Sequence, residues 1–239
     1  MKTEKIEEIK VDMSQIERMF GVGAHYAYTK TRRHPSVKKF IFGTKNGTEI
    51  FDLEKTYISL EEAKEFIRKI LVNEENKILF VASKSEAKNV VKPIVESLDM
   101  PVVFNRWVGG TLTNFEMIKK RVERYLKLID DREKGELLKY TKKERGQIDK
   151  EIEKLEKKFL GIASMKKLPV ALFVVDSRHE SVAIEEARSK NIPIIALVNS
   201  DCDIKKIDYP ILANDTSGDS IKFFTEEIAK VCKIKKETK

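Results

Sequence analysis

Between Tyr26 and Phe40 the chain sets Lys30, Arg32, Arg33, His34, Lys38 and Lys39 beside Tyr26 and Tyr28, with no acidic residue among them. Cations at this density neutralise phosphates, and planar guanidinium forks match phosphate oxygens two at a time. Interleaved aromatic rings can stack on unpaired bases. Pro35 fixes the chain in the middle of the run. A solvated loop carrying surplus charge is the plainer reading of the same residues. A second set follows later: Arg106-Trp107, then Lys119, Lys120, Arg121 and Arg124. Trp107 is the only tryptophan, and its large ring reads as a packing residue rather than a base stack.

Acid–base chemistry is the competing possibility. Asp176, His179, Glu180 and Asp201 stand just after apolar runs, where open α/β sheets place their ligands. The first such turn, Ala82-Ser83-Lys84-Ser85-Glu86, has no glycine. Dinucleotide and triphosphate sites need glycine there so that backbone N–H groups can approach phosphate oxygens. Gly21-Val22-Gly23 lies outside that context, and Gly109-Gly110 reads as a tight strand-to-helix turn. Structural duties also suit these polar residues: Ser177 as a helix N-cap with Glu180 as its capping-box partner, and His179 as an exposed residue of a first turn. The three histidines, His25, His34 and His179, and the two cysteines, Cys202 and Cys232, lie in separate segments with no metal spacing. No catalytic residue, metal site or cofactor is therefore assigned. A small-molecule enzyme using Asp176, His179 and Asp201, and a protein-only scaffold, stay open as alternatives.

These residues must be carried by a frame. The runs Ile78–Ala82, Val102–Phe104, Val170–Val175, Ile194–Val198 and Ile211–Leu212 are apolar without alternation, as expected of parallel strands covered on both faces. Helical stretches separate most of them, and Ser59–Glu62, Ser83–Glu86 and Ser177–Glu180 read as capping boxes. The pattern predicts a doubly wound, three-layer α/β domain. Phe40–Phe42 and Glu49–Phe51 around Gly43–Gly47 predict a small β-hairpin near the amino terminus. From Thr113 to Ile162 the alternation stops. Phe115, Ile118, Val122, Tyr125 and Ile129, then Ile148, Ile152, Leu155, Phe159 and Ile162, fall at three- and four-residue steps. That is the seam of an antiparallel coiled-coil hairpin with capping boxes at Thr113–Glu116 and Thr141–Glu144 and a bend at Lys134–Tyr140. Each arm of about 20 residues reaches ~30 Å. The expected organisation is a discontinuous core of residues 1–112 and 163–239 with residues 113–162 inserted. The lysine-rich tail after Cys232 is expected to fray.

Composition bounds the partners. The formal charge of +8 over 239 residues favours a polyanion. Charged residues reach 36%, however, so a uniformly charged surface would give a similar balance. No apolar run approaches the ~20 residues of a membrane span, and Met1–Lys10 has no apolar stretch of a secretory signal. With two cysteines and no disulfide framework, a reducing cytoplasm is expected.

In this order the segments resemble the family of small-subunit ribosomal protein number two, from about Ile16 to Cys232. The most specific part is Asn105-Arg106-Trp107-Val108-Gly109-Gly110-Thr111-Leu112-Thr113-Asn114. Ile41-Phe42-Gly43 through Ile50-Phe51-Asp52-Leu53-Glu54-Lys55-Thr56, Thr141-Lys142-Lys143-Glu144, Phe173-Val174-Val175-Asp176, Glu185-Glu186-Ala187-Arg188 and Asn191-Ile192-Pro193 extend it. The resemblance implies a structural, non-enzymatic constituent of the small ribosomal subunit. It implies an α/β domain with an inserted hairpin at the head–body junction, in contact with small-subunit rRNA and neighbouring ribosomal proteins. Docking of ribosomal protein number one is implied as well, with no membrane and no small-molecule substrate. The chain departs from the family at Tyr28, Arg33, His34 and Asp219, so no inherited contact is implied for those four side chains. The amino terminus lacks a transit-type segment, which leans toward a bacterial source. From the residues themselves, RNA contact is expected of Lys30, Arg32, Arg33, His34, Lys38, Lys39, Arg106, Lys119, Lys120, Arg121 and Arg124.

Overall fold

Apolar runs that do not alternate cannot leave a face in water, so they have to be sandwiched. The computed structural model describes residues 11–73 and 75–234 and sandwiches all five. Met1–Lys10 and the lysine-rich tail from 235 onward lie outside the described residues. The first helix, α1 (Met13–Gly21), is capped by Asp12, whose carboxylate accepts from the Ser14 N–H. Three short antiparallel strands follow: β1 (Tyr26–Thr29), β2 (Ile41–Lys45) and β3 (Thr48–Phe51), in the order β1-β3-β2. The predicted hairpin is therefore β2–β3, turned by Asn46 and Gly47 at positive φ. Strand β1 has no counterpart among the sequence expectations. It is four residues long, and its register with β3 breaks between Tyr26 and Thr29, so no clean alternation marks it.

The core then alternates: α2 (Leu53–Ile70), β4 (Ile78–Val81), α3 (Ser85–Glu96) and β5 (Val102–Val103). After the helical pair α4 (Phe115–Glu133) and α5 (Lys142–Phe159) come β6 (Ala171–Val175), α6 (Ser181–Ser189), β7 (Ile194–Val198), β8 (Tyr209–Leu212) and α7 (Gly218–Ile234). The five parallel strands lie in the order β5-β4-β6-β7-β8, the flavodoxin-type winding. Alternate strand residues feed two cores. Ile78, Phe80, Phe173, Val175, Ile195 and Leu197 pack with Leu60 of α2, Val91 of α3 and Phe224 of α7. On the opposite face Leu79, Val81, Leu172, Val174 and Val198 meet three different covers. Those covers are Ile184 of α6, Phe51 with Val37 from the amino-terminal region, and Trp107 with Ile118 from the root of the helical pair.

Several predicted caps take other partners. α2 starts at Asp52, whose carboxylate accepts from the Glu54 and Lys55 N–H groups, because the buried stripe already begins at Leu53. Ser59 is therefore interior to that helix. Ser83 and Ser177 do not cap: α3 is flanked by Lys84 and α6 by Glu180, neither with a side-chain cap bond. Thr113 does not cap α4 either; its hydroxyl and its N–H turn to Glu186. The Thr141–Glu144 box is present in full.

α4 and α5 pack against one another through part of the predicted apolar set. Ile118, Val122, Tyr125, Ile152 and Phe159 are buried, and Arg124 of α4 pairs with Glu151 of α5 at 2.8 Å. Gly135 bends the connection at φ 73°. Where the pair rejoins the sheet, Gly161 lies against β5, and a Cβ there would stand 2.0 Å from the Val102 carbonyl oxygen. No described helix is long and apolar enough to cross a membrane. Gly161→Ala forces the hairpin base off the sheet edge. The expected cost is about 2–3 kcal/mol, a fall in Tm of roughly 5–10 °C for a domain of this size, read by thermal unfolding.

Candidate nucleic-acid interface

A doubly wound sheet offers one crevice by construction, beyond the carboxyl ends of the two strands where the winding reverses. Here those strands are β4 and β6, and the protein's own side chains fill the crevice. The Glu180 carboxylate accepts from the Ser83 N–H at 3.1 Å and from the Ser83 hydroxyl. A carboxylate thus receives the strand-end N–H that a ligand phosphate would otherwise take. Burial raises the Glu180 carboxyl above its ordinary range, with the two Ser83 bonds opposing. Beside it the Lys84 ammonium lies 3.1 Å from Asp176 and 3.4 Å from Asp215. Burial works to lower the Lys84 pKa, but Asp215 and Asp176 outweigh it and raise the group. Asp215 also accepts from Asn199 at 2.9 Å, and burial pushes its carboxyl up to about 6 against the pull of Lys84.

The aspartates of the candidate catalytic set are engaged in the same way. Asp176 sits at φ 65° and accepts the N–H groups of Arg178 and His179, both at 3.1 Å. That local turn makes the left-handed backbone tolerable for an aspartate. His179 is exposed. Burial pushes the Cys202 thiol up to about 12, so it stays protonated.

The amino-terminal sheet closes the crevice from above. Tyr28 N–H donates to Ser200 Oγ at 3.1 Å, and His34 N–H donates to the Ser200 carbonyl at 2.8 Å. Asn214 N–H donates to the Ala24 carbonyl at 3.0 Å. These bonds fix where the basic segment lies. Residues 30–32 and 35–40 form two short 3-10 turns that hold Lys30, Arg32, Lys38 and Lys39 exposed at the surface. The segment has no acid in sequence, but the fold brings three. Arg33 is drawn onto the buried Glu49 at 2.7 Å, and Arg32, stacked 3.9 Å above the Tyr28 ring, reaches Asp201 at 3.4 Å. Asp201 also holds Arg178 at 2.9 Å. Arg178 thereby joins the predicted set, which sequence spacing could not show because it lies far along the chain from Arg32. His34 bonds Ser36 at 2.7 Å and stands 3.9 Å from Asp203.

The second set hangs on one carboxylate. Glu186, on the buried side of α6, accepts from the Trp107 indole N–H at 3.0 Å and from the N–H groups of Gly110, Leu112 and Thr113 at 2.7, 2.9 and 3.1 Å. The Thr113 hydroxyl adds a fifth bond at 3.1 Å. Burial works to raise the Glu186 carboxyl, and these bonds outweigh it and hold it below the usual range. Gly110 takes φ 90°, the left-handed turn that lets three N–H groups converge. Trp107 is a packing residue, as expected, and is 8% exposed. Arg106 next to it is exposed, with no ion pair or side-chain hydrogen bond among the described residues. Lys120 and Arg121 on α4 are exposed, Lys119 is half-buried, and Arg124 is engaged by Glu151. Both basic sets therefore sit on the layer that covers the Leu79–Val81 face of the sheet.

Comparison with known proteins gives one consistent answer. The family model described as "Ribosomal protein S2" matches residues 19–234. The "Small ribosomal subunit protein uS2" of Coprothermobacter proteolyticus is 39% identical over 215 residues, covering 90% of this chain and 80% of that protein.

Glu186→Ala strands three backbone donors and an indole at once. The expected loss is about 3–5 kcal/mol, with Glu186→Gln recovering part of it. Because the folded pKa is depressed, this stabilisation is present above the ordinary glutamate value of about 4.3 and is lost as pH falls through the folded value. Asp215 carries the opposite sign. Its raised pKa favours the fold below about pH 4, and that contribution is lost as pH rises through about 6. Asp215→Asn is therefore expected to flatten the denaturant-derived stability profile between about pH 4 and 6.

Proposed function

The chain belongs to the ribosomal protein S2 family, and from that premise we propose that it is a structural constituent of the small ribosomal subunit that binds the subunit's rRNA through its two basic sets. It is a structural protein and not an enzyme. As a subunit component it belongs to the cytoplasm, where translation takes place. The observation that supports binding over catalysis is the filled crevice. The position at which this winding offers a phosphate site is taken by Glu180 and Lys84, while cations stand outside it.

Lys30, Arg32, Arg33, Lys38 and Lys39 contact phosphates on this reading, with His34, Arg106, Lys119, Lys120, Arg121 and Arg124 assisting. Arg178 is added to the set by its shared carboxylate with Arg32. Asp201 holds both guanidinium groups near one point, so less side-chain entropy is lost when a phosphate arrives. The helical pair acts as an antiparallel coiled coil whose charged flank faces RNA or a protein neighbour. Its exposed residues are mostly Lys, Arg, Glu and Asp, which suits a polar partner better than a core. The finer family expectations, a place at the head–body junction and a part in docking ribosomal protein number one, are carried over from the resemblance that runs from about Ile16 to Cys232.

Arg33 is a poor probe, because removing it leaves the buried Glu49 without its partner. Lys30→Ala with Arg32→Ala is the cleaner pair. Affinity for small-subunit rRNA should fall, and the log–log salt slope should flatten by roughly 0.7–0.9 for each phosphate no longer neutralised. A filter-binding series across salt concentrations reads both. An unchanged slope removes this segment from the interface.

A further inference from the structure

Beside the closed crevice, at the carboxyl ends of β6 and β7, lies a hollow of about 230 Å³ that none of these bonds closes. Its floor is apolar: Ile184 of α6 with Cys202 and Ile207, all buried. Its rim carries His34, Arg178 and Lys206 together with Glu185, Asp201 and Asp203. A hollow of this size falls below the usual range for a drug-sized ligand and suits a single ring system.

We infer that the hollow receives one unstacked nucleobase, bearing an exocyclic amine, from the RNA held by the basic segment. The inference rests on the RNA binding proposed for the basic sets and deepens it. Three observations support it. The first is continuity: His34 of the basic segment lines the rim, and Asp201 on the same rim is the carboxylate that holds Arg32 and Arg178. An RNA strand gripped by those two guanidinium groups passes over the opening. The second is charge. On the rim Arg178 and Lys206 face Asp201, Asp203 and Glu185, so the opening carries no surplus of cations and does not suit a phosphate itself. An apolar floor under a polar rim without surplus positive charge fits a base, with its phosphates held alongside. The third is the acceptor. Glu185 makes no side-chain hydrogen bond or ion pair among the described residues, and a carboxylate accepts from the amines of cytosine, adenine or guanine. Uracil has no exocyclic amine and offers only a ring N–H flanked by two carbonyl oxygens, which a carboxylate repels. Single-stranded RNA is commonly read in this manner, by splayed bases entering pockets edge-first.

Ser181 lines the hollow and is exposed at the start of α6, so Ser181→Phe fills the opening without entering the core. The full chain with this change should bind small-subunit rRNA roughly ten- to a hundred-fold more weakly. Its salt slope should match that of the unaltered chain, because every phosphate remains paired with its cation. Val182→Phe, on the exposed side of the same turn, should leave affinity unchanged. Equal affinity of Ser181→Phe and the unaltered chain overturns the inference, and so does a flattened slope with this variant. A second measurement needs no variant. Unlabelled small-subunit rRNA irradiated with short-wavelength ultraviolet light on the unaltered protein should leave a cytidine, adenosine or guanosine adduct within residues 177–207. An adduct only elsewhere counts against the hollow. Thermal stabilisation by GMP without RNA would mark a free-nucleotide site and overturn the assignment to RNA. Failure of the hollow alone is distinguishable from failure of RNA binding, because the Lys30 and Arg32 variants would still flatten the salt slope.

Discussion

Glu186 is the point on which the functional half of the molecule depends. One carboxylate gathers an indole, three backbone N–H groups and a hydroxyl from residues 107–113. Such a loop cannot be held by ordinary secondary structure, since its donors point inward on a left-handed turn at Gly110. A neutral acceptor would satisfy fewer of them; an anion satisfies them together, and charge-assisted bonds are the stronger kind. Because the loop is fixed to α6, the direction in which α4 leaves the sheet is fixed too. Ile118 and Val122 then find the layer above Leu79 and Val81, and Gly161 returns the second arm to the hairpin base against β5. The exposure of Arg106 follows from the burial of Trp107 beside it.

A second economy of charge operates at the strand ends. Lys84 pairs with Asp176 and Asp215, and the Glu180 carboxylate accepts from Ser83, where a related winding would admit a ligand. Burial leaves Asp215 reluctant to ionise, against the pull of Lys84. The amino-terminal sheet docks over this cluster through Ser200 and Asn214, using mainly backbone donors. The same docking turns the basic segment outward. Closing the crevice and presenting the cations are thus one structural event.

Much of this was legible in the residues. The five strands lie where unbroken apolar runs predict them, because period and length leave no other element that buries them. The helical pair and its bend follow from the a/d spacing and from Gly135, and the Thr141–Glu144 box is local enough to be read directly. The other caps were misassigned for a physical reason. Ser83 and Thr113 have cap chemistry, but Glu180 and Glu186 offer competing partners that only the folded chain brings near; beside Ser177, the Asp176 carboxylate accepts the N–H groups of Arg178 and His179 instead. Strand β1 was hidden by its broken register. Arg178 and the two acids that engage Arg32 and Arg33 were hidden by sequence distance. Charge patterning shows what a segment can bind, and tertiary structure decides which of its cations remain free to do so.

The most direct test of ribosomal RNA binding is sedimentation of the native protein from lysate through a sucrose gradient, with and without ribonuclease and with and without high salt. Migration with the small subunit, released by ribonuclease and weakened by salt, is the expected result. A free peak unaffected by ribonuclease would contradict it and return attention to a protein-only scaffold.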